Sequence, residues 1–212
     1  MRTLKILLSW LLLAGGSFFI YSGLRDYWES RSSQSQAERS WKEEREVERP
    51  TEVSARHRAA SSVTTPHIRA GDSFARLSIP RLHTVLYVVE GTSHSDLRRG
   101  PGHLEGTAFP GTTGNCVIAG HRDTHFRPLK DIRKGDEIDL DTAAGQYRYR
   151  VSEMSIVSPR NTESLNPTPT PVLNLVTCYP FWYVGSAPKR FVVRADLVRK
   201  QAAAVNHGVP RS

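Results

Sequence analysis

Three side chains that can carry acyl-transfer chemistry lie next to strand-like runs of the sequence. Cys178 ends the apolar run V-L-N-L-V-T-C, His121 ends the run C-V-I-A-G-H, and Arg190 begins the apolar run that follows Cys178. A thiol attacks a carbonyl as its thiolate, so a catalytic cysteine needs a partner that favours or accepts that state, commonly histidine. A guanidinium can stabilise an oxyanion or hold a substrate carbonyl through charge-assisted hydrogen bonds. These residue types predict acyl transfer through a cysteine thioester.

Each of the three residues also has an ordinary structural interpretation. A strand cysteine is usually a small buried hydrophobe, a histidine is usually structural or solvated, and an arginine at a strand start is usually a surface charge. The catalytic interpretation further requires a fold that brings the three strand ends together. Residue types and spacing alone leave both interpretations open.

The elements that would position these residues are short strands. From about Arg69 onward, β-prone runs recur between turns rich in glycine and proline, and several alternate between apolar and polar residues. Seven or eight such strands fit a small all-β sandwich or closed barrel, and the pattern does not choose between the two. The predicted strands are Phe74 to Ile79, Val85 to Val89, Asn115 to Ala119, Glu137 to Leu140, Tyr147 to Val157, Val172 to Thr177 and Arg190 to Val198.

The connections between the predicted strands add a helical turn and two long loops. Ser95 to Arg99 is predicted to form the turn, ahead of the sequence Gly-Pro-Gly. Ser158 to Pro171 is long and rich in proline, and Tyr179 to Lys189 is long and aromatic. Long loops that flank a strand ending in Cys178 are predicted to form the walls of a substrate-binding site.

Composition and charge narrow the class of protein. The chain of 212 residues carries 29 Lys and Arg against 21 Asp and Glu, a formal charge of +8. A recognition helix, zinc-finger spacing and basic-aromatic alternation are all missing from the sequence, so no nucleic-acid partner is predicted, and the positive charge instead suits an anionic membrane face or cell envelope. Two cysteines exclude a disulfide framework and a tetrahedral cysteine metal site. They leave open a single disulfide between Cys116 and Cys178, or one reactive thiol with a bystander.

The N-terminal segment predicts a membrane anchor and, beyond it, an extracytoplasmic domain. The run from Ile6 to Leu24 carries no charge and, as a helix, would span roughly 30 Å. Arg2 and Lys5 precede it, so the positive-inside rule places the N-terminus in the cytoplasm. A cleavable signal peptide is the alternative, but the apolar run is longer than its usual core.

The boundaries that follow from this pattern divide the chain into four parts. Residues 1–28 form the cytoplasmic N-terminus and signal anchor, and residues 29–66 form a polar linker with too few apolar side chains to fold by themselves. Within this linker, a transient helix is expected around Trp41 to Val47. Residues 67–198 form the catalytic domain, and residues 199–212 form a basic tail.

Two motifs resemble those of the sortase family, which consists of cysteine transpeptidases. Leu173 to Arg190 (L-N-L-V-T-C-Y-P-F-W-Y-V-G-S-A-P-K-R) resembles the signature T-L-x-T-C followed by a later arginine, and Gly114 to Leu129 (G-N-C-V-I-A-G-H-R-D-T-H-F-R-P-L) resembles the stretch around the family's histidine. The resemblance covers about residues 72 to 198, in the family's order. The aromatic loop after Cys178 is most similar to the class D and class E branches. Further matches are Leu97 to Leu104, Ile79-Pro80 and Phe191 to Leu197.

The resemblance implies a fold, a set of catalytic residues and a reaction. The fold is a small closed β-barrel of about eight strands with short helical turns, and the chemistry needs no cofactor and no metal. Cys178 is implied as nucleophile, His121 as general acid and base, and Arg190 as stabiliser of the oxyanion or substrate, with Thr177 shaping the oxyanion site. The implied reaction cleaves an L-P-x-T-G-like C-terminal sorting signal of a secreted protein and transfers that protein to an amine of the cell envelope or to a pilin lysine.

Three positions depart from the family's usual pattern. Asn174 stands where threonine is usual, a change that bears on packing rather than on chemistry. His125 stands where phenylalanine is usual and places a second imidazole near the site. Cys116 stands where valine is more common, and we expect it to be buried and inert.

Other functions fit the sequence less well. An L,D-transpeptidase has an arginine two residues after its cysteine, where this chain has Pro180, and a papain-like enzyme has its cysteine before its histidine, at a helix start. The alternative from another class is a non-catalytic, membrane-tethered β-domain that binds an envelope polymer or protein. That alternative predicts an unreactive thiol at position 178.

Overall fold

The computed structural model describes Ser17, Tyr21, Ser32 and residues 34–43, 68–183 and 185–202. The predicted anchor from Ile6 to Leu24 therefore lies almost entirely outside the described residues, as does most of the tail 199–212. Among the residues described, no helix is both long and apolar enough to cross a bilayer.

The catalytic domain predicted for residues 67–198 is a closed β-barrel, which decides between the sandwich and the barrel. Its strands follow the order β1-β2-β3-β4-β7-β8-β6-β5, and β5 pairs again with β1. The strands are β1 (Ser73–Ile79), β2 (Thr84–Glu90), β3 (Gly102–His103), β4 (Asn115–Gly120), β5 (Glu137–Thr142), β6 (Gly145–Val157), β7 (Val172–Tyr179) and β8 (Lys189–Ala202). Helix α1 (residues 34–43) precedes the strands, and between them lie one short α-helix, α2 (His94–Arg99), and the 3-10 turns Pro80–Leu82, Arg127–Asp131 and Glu163–Leu165.

Alternation along the strands separates the barrel core from solvent. In β6, Tyr147, Tyr149 and Val151 are buried in the core, whereas Gln146 and Arg150 are exposed. Side chains on a strand point alternately to opposite faces, so one face of β6 fills the barrel and the other meets water. The largest fully buried side chains are Tyr149, Phe126, Leu77, Ile79, Ile118, Leu129, Ile138, Leu140, Leu173, Leu175, His103 and Val88.

The two-residue strand β3 is the one strand among the described residues that the sequence did not predict. Gly102 and His103 pair in parallel with β2 and antiparallel with β4, and so close the barrel between them. The His103 side chain is fully buried, and its Nδ1 lies 2.8 Å from Glu90 Oε2. A strand of two residues after Gly-Pro has no periodicity to detect, which explains why the pattern indicated only a turn.

Residues 34–43 form the helix α1, which packs on the barrel. This differs from the polar linker expected for them, whose transient helix was predicted around Trp41 to Val47; the part of that range after residue 43 lies outside the described residues. Ala37 and Trp41, four residues apart on one face of α1, are buried against Tyr87. Tyr87 lies on an edge of β2 that has no strand partner among the described residues, because β3 pairs only with Val89 and Glu90.

The side chain of Gln34 forms hydrogen bonds with the backbone of that edge, as a neighbouring strand would. Its Oε1 accepts a hydrogen bond from Tyr87 N at 2.9 Å, and its Nε2 donates to Tyr87 O at 3.3 Å. Nε2 also donates to Arg99 O, at the end of α2, at 2.7 Å. α1 is thus fastened both to the barrel edge and to α2.

Candidate active site

The ends of β4 and β7 bring His121 next to Cys178. The two strands are parallel neighbours, and their last pair places Gly120 level with Thr177. His121 and Cys178 are the next residues along each chain, so they come level at this end of the sheet. Neighbouring strands lie about 4.8 Å apart, so two residues that begin far apart in sequence meet at one edge of the barrel.

Arg190 reaches the same place from the other side of β7. It pairs directly with Cys178 in the antiparallel register of β7 and β8. Directly opposed residues of such a pair project from the same face of the sheet. The side chains of Cys178, His121 and Arg190 are all half-buried. The structure therefore brings together the three residues that the sequence singled out.

The face that carries Cys178 is the outer face of the barrel. Leu173 and Leu175 of β7 belong to the core, so alternation directs Asn174, Val176 and Cys178 outward. Cys116 and Ile118 of β4 likewise belong to the core, and alternation extended past Gly120 places His121 on the outer face with Cys178.

The outer face leading to Cys178 forms an apolar floor that the sequence did not single out. Val176 pairs with Ala119 on one side and with Val192 on the other. Val117 and Val192 are buried even though they point away from the core. Strands that are apolar on both faces are typical of a parallel sheet that is covered on both sides. The nearly continuous apolar runs of β4 and β7 could therefore have indicated this floor from the sequence.

Two asparagines tie the Pro-rich wall to the lower end of this floor. Asn174 Nδ2 donates to Asn115 Oδ1 at 2.8 Å and to Ser164 O at 3.0 Å. Asn115 Nδ2 donates to Ser164 O at 2.8 Å and to Asn166 O at 3.0 Å. The asparagine that replaces the usual threonine therefore fixes the loop over residues 158–171 and takes no part in the reaction centre.

Thr177 fastens the two strands immediately below the reaction centre. Its buried hydroxyl donates to Gly120 O at 2.7 Å, across the β4–β7 pair. Alternation directs this side chain inward, away from the face that carries Cys178. Thr177 could therefore act at the oxyanion site through its backbone or by fixing the position of Gly120, but not through its hydroxyl.

The loop between β7 and β8 connects the strand that carries Cys178 to the strand that carries Arg190. It begins with a cis peptide bond between Tyr179 and Pro180. Tyr179, Phe181 and Phe191 form an aromatic cluster at its base, with ring centroids 5.6 to 6.3 Å apart. Arg190 Nη1 donates to Ala187 O at 3.3 Å and to Lys189 O at 3.0 Å. Nε and Nη2 of this guanidinium carry three further N–H donors that can serve a substrate oxygen.

The second imidazole near the site, that of His125, is structural. Burial lowers the pKa of His125 to about 4, a hydrogen bond to the Arg98 backbone opposes the shift, and nearby His121 adds to it. The ring is therefore neutral near pH 7, and it is buried. These properties suit a packing role better than proton transfer.

Cys116 and Cys178 are both free and cannot pair with each other. Cys116 lies level with Leu173, five positions before Cys178 on β7, a separation of roughly 17 Å along the strand. A disulfide requires Cα atoms less than about 7 Å apart, so this pairing is excluded. Burial raises the pKa of the Cys116 thiol well above its usual range, as expected for an inert core cysteine.

Comparison with known proteins agrees with this geometry. Residues 77–198 match the model of the sortase domain. The chain belongs to the sortase family. Over 124 residues it is 38% identical to sortase D of Bacillus subtilis, covering 58% of this chain and 63% of that protein. Over 129 residues it is 36% identical to sortase SrtE1 of Streptomyces coelicolor, covering 52% of this chain and 37% of that protein.

A solved sortase shares the same fold. The Clostridium perfringens sortase D5 transpeptidase aligns with a TM-score of 0.63 and 27% identity, over 79% of this chain and 99% of that chain. The predicted membership of the sortase family and the closed eight-stranded barrel are thereby confirmed, and of the two classes expected, D and E, these matches support a class D-like sortase. The chain spans less than two thirds of the length of either relative named above.

Proposed function

We propose that this sortase is a cysteine transpeptidase that cleaves an L-P-x-T-G-like sorting signal and transfers the cleaved protein to an amine. The observation that carries the proposal is the placement of His121, Cys178 and Arg190 level with one another on three adjacent strands, β4, β7 and β8. A nucleophile with a base on one side and a guanidinium on the other is the arrangement that acyl transfer requires.

The first half of the reaction forms an acyl-enzyme. The Cys178 thiol gives its proton to His121, Cys178 Sγ attacks the threonine carbonyl of the sorting signal, and Arg190 stabilises the oxyanion that forms. As the C–N bond breaks, His121 gives a proton to the departing amine, and the substrate remains bound to Cys178 as a thioester.

The second half of the reaction resolves the thioester. An amine attacks the thioester carbonyl while His121 takes its proton, and the new amide bond forms as the Cys178 thiolate leaves. Water in place of the amine gives hydrolysis, so the protein would act as a peptidase when no acceptor is present.

In this proposal an extended peptide binds along the outer face of the barrel, between two loops. The floor is the outer face of β4, β7 and β8, with Ala119, Val176 and Val192 paired across it. Residues 158–171 form one wall, and the β7–β8 loop forms the other. Within the floor Ala119 and Val176 are half-buried and apolar, so they can contact the leucine and proline of a sorting signal.

The proposed setting is the outer side of the cell membrane. The chain would be held by the uncharged segment Ile6 to Leu24 as a single-pass anchor, with its N-terminus in the cytoplasm. Its partners would be secreted proteins with C-terminal sorting signals, together with an amino nucleophile of the envelope or a pilin lysine. A membrane-tethered donor and acceptor would meet the domain there.

Peptide cleavage by the purified protein tests the proposal. The full chain is incubated with L-P-x-T-G, L-A-x-T-G and L-P-x-T-A peptides, with and without a mixture of amines, and the products are identified by mass spectrometry. We expect cleavage at the threonine, a mass increase of the protein that corresponds to the acyl group, and an amide product when amine is present. Cys178→Ala abolishes all three. If none of the peptides is cleaved, or if Cys178→Ala cleaves as well as the parent, the proposal fails and the non-catalytic tethered domain is favoured.

The role of Arg190 is tested by separating kcat from KM. An oxyanion donor acts in the transition state, so Arg190→Ala is expected to lower the rate constant of acylation by about a hundredfold and to change KM little. A pure rise in KM would instead identify Arg190 as a substrate clamp.

A further inference from the structure

Arg122, the residue after His121, contacts the opposite wall of the site. Its Nη2 donates to Tyr183 O at 2.6 Å and to Gly185 O at 2.9 Å. Its guanidinium carbon lies 5.8 Å from the centre of the Tyr183 ring. A segment that follows β4 is thus tied to the middle of the β7–β8 loop, which is described except at position 184.

A second contact between the same two segments surrounds Trp182. The ring is 70% exposed, yet it lies 5.2 Å from the Arg127 guanidinium carbon and 5.5 Å from Lys130 Nζ. A tryptophan held at this distance by two cations gains cation–π attraction instead of core burial. Three cations from residues 122–130 therefore hold two consecutive side chains and two carbonyls of the loop.

The loop connects this contact to the reaction centre. Arg190 Nη1 donates to Ala187 O and Lys189 O at the far end of the loop, so the position of its guanidinium depends on where the loop lies. The near end follows directly from Cys178. Arg122 is thus connected to Arg190 through the loop backbone. Among the described residues it makes no direct contact with Cys178 or with Arg190.

We propose that Arg122 is a positioning residue that latches the β7–β8 loop over Cys178 and thereby favours the amine over water at the thioester. This inference rests on the proposed transpeptidase function and deepens it. When latched, the loop walls the acyl group on one side and holds the Arg190 donors in place. When released, it opens that side to water and frees the Arg190 guanidinium to move.

Residue type fits this role. A guanidinium combines two hydrogen bonds from one nitrogen with stacking on an aromatic face, whereas an ammonium retains the hydrogen bonds and loses the planar stacking. Arg122→Lys should therefore restore part of the function, and Arg122→Ala should lose it.

Two measurements on the full chain test the latch. The first is hydrogen exchange of the loop amides, which does not depend on activity. The second is the ratio of aminolysis to hydrolysis products, with kcat and KM, for a cleaved sorting peptide and a simple primary amine. The variants are Arg122→Ala, Arg122→Lys and Trp182→Ala. Arg199→Ala is the matched control, because Arg199 is exposed at the far end of β8.

For Arg122→Ala we expect loop exchange to rise by about tenfold or more and the product ratio to fall by about tenfold, with a larger change in kcat than in KM. Arg122→Lys should recover most of the ratio, Trp182→Ala should shift it less and in the same direction, and Arg199→Ala should match the parent.

Several outcomes overturn the proposal. Unchanged loop exchange in Arg122→Ala refutes the latch, and faster exchange with an unchanged product ratio refutes its catalytic role. If Arg122→Ala does not fold, the other two variants decide. The proposal is refuted if both Arg122→Lys and Trp182→Ala show the same loop hydrogen exchange and the same ratio of aminolysis to hydrolysis as the parent. Failure of the proposed function is distinguishable from failure of the latch. In that case the parent protein would neither cleave the peptide nor become acylated at Cys178, while its loop hydrogen exchange could still be compared with that of the Arg122 variants.

Discussion

The paired strands β4 and β7 carry a cysteine at each end, and the two ends are built differently. At the lower end, Cys116 points into the core and lies level with Leu173, while Asn115 and Asn174 close the outer face with hydrogen bonds to the Pro-rich loop. At the upper end, Cys178 is half-buried on the outer face beside His121 and Arg190. Strand parity and loop cover, rather than residue type, distinguish an inert thiol from a candidate nucleophile.

The polar groups at the two ends also differ in how their partners are supplied. The asparagine amides at the lower end bond to one another and to backbone carbonyls of a single loop. At the upper end, the donors come from segments that meet only through the barrel topology, as in the bond of Arg122 to Tyr183 O. We call the lower end the closed end, because its amides are hydrogen-bonded, and the upper end the open end, because Arg190 keeps donors for a substrate. Hydrogen-bonded polar groups stabilise the fold, whereas free donors can take part in a reaction.

Alkylation should show the largest difference between the two ends. Cys178 is accessible, whereas Cys116 is buried and its thiol has a raised pKa, so it reacts only when the barrel opens. With iodoacetamide at pH 8, we expect Cys178 to be modified at least about a thousandfold faster than Cys116. Tryptic mass spectrometry over time measures both rates in one sample.

The control for this experiment is Cys178→Ala, in which the folded protein should take up no label until denaturant is added. Comparable labelling of the two cysteines under native conditions would contradict the distinction between the ends. It would also remove the argument that Cys116 is a bystander.

His125 lies near the open end but is buried, so its effect on stability should depend on pH. Its pKa of about 4 in the folded protein lies below the value of about 6.5 for the unfolded chain. Below pH 6.5 the unfolded chain therefore binds a proton that the folded protein does not, and stability is lost as the pH falls from about 6.5 to about 4. The loss should reach at most about 3 kcal/mol.

Urea unfolding at pH values between 7 and 4 measures this loss. His125→Asn places an amide nitrogen where the imidazole can donate to the Arg98 carbonyl, and it should remove much of the pH dependence in that window. His83→Asn, at an exposed position, is the control for removal of a histidine. A pH profile of His125→Asn that parallels the parent's would show that His125 is not the group responsible.

The sequence predicted the open end better than the closed one. Motif resemblance placed Cys178, His121 and Arg190, and the strand register brought them together as expected. The tie formed by Asn115 and Asn174 could not be predicted, because it depends on a loop that returns across the sheet from Ser164. The contact of Arg122 was missed for the same reason, since its acceptors lie in a loop whose position no local pattern specifies.

The linker shows the limit of composition as a predictor. Residues 29–66 are polar enough to suggest a disordered linker with at most a transient helix around Trp41 to Val47, yet Ala37 and Trp41 share one face of α1 and bury it against Tyr87. Their four-residue spacing was visible in the sequence, but the surface they cover exists only because β3 is too short to protect the edge of β2. Long strands with clear alternation, such as β6, were predicted nearly to their ends.

Removal of the amide at position 174 should weaken the closed end by a smaller amount. Asn174→Ala leaves Asn115 Oδ1 without its donor and frees part of the hold on Ser164, so we expect the free energy of unfolding to fall by about 2 kcal/mol. Asn174→Thr should lose less, because a hydroxyl can still donate once.

Chemical denaturation measures both changes at position 174. Asn166→Ala, which removes an exposed asparagine side chain of the same loop and keeps the carbonyl that Asn115 contacts, is the control and should change stability by less than about 0.5 kcal/mol. An equally small effect of Asn174→Ala would mean that the asparagine tie does not stabilise the lower end.

Cys116→Val should have the smallest effect and sharpens the comparison most directly. The substitution exchanges one small apolar side chain for another of similar volume in the core, so the free energy of unfolding should change by less than about 1 kcal/mol. Cleavage of a sorting peptide should remain within about twofold of the parent, because Cys116 is roughly 17 Å from Cys178 along the strand and on the opposite face. Denaturation and steady-state rates, measured beside those of Cys178→Ala, check both expectations. A large loss of activity with stability preserved would mean that the core thiol influences the reaction centre, and the two ends of the β4–β7 pair would no longer be independent.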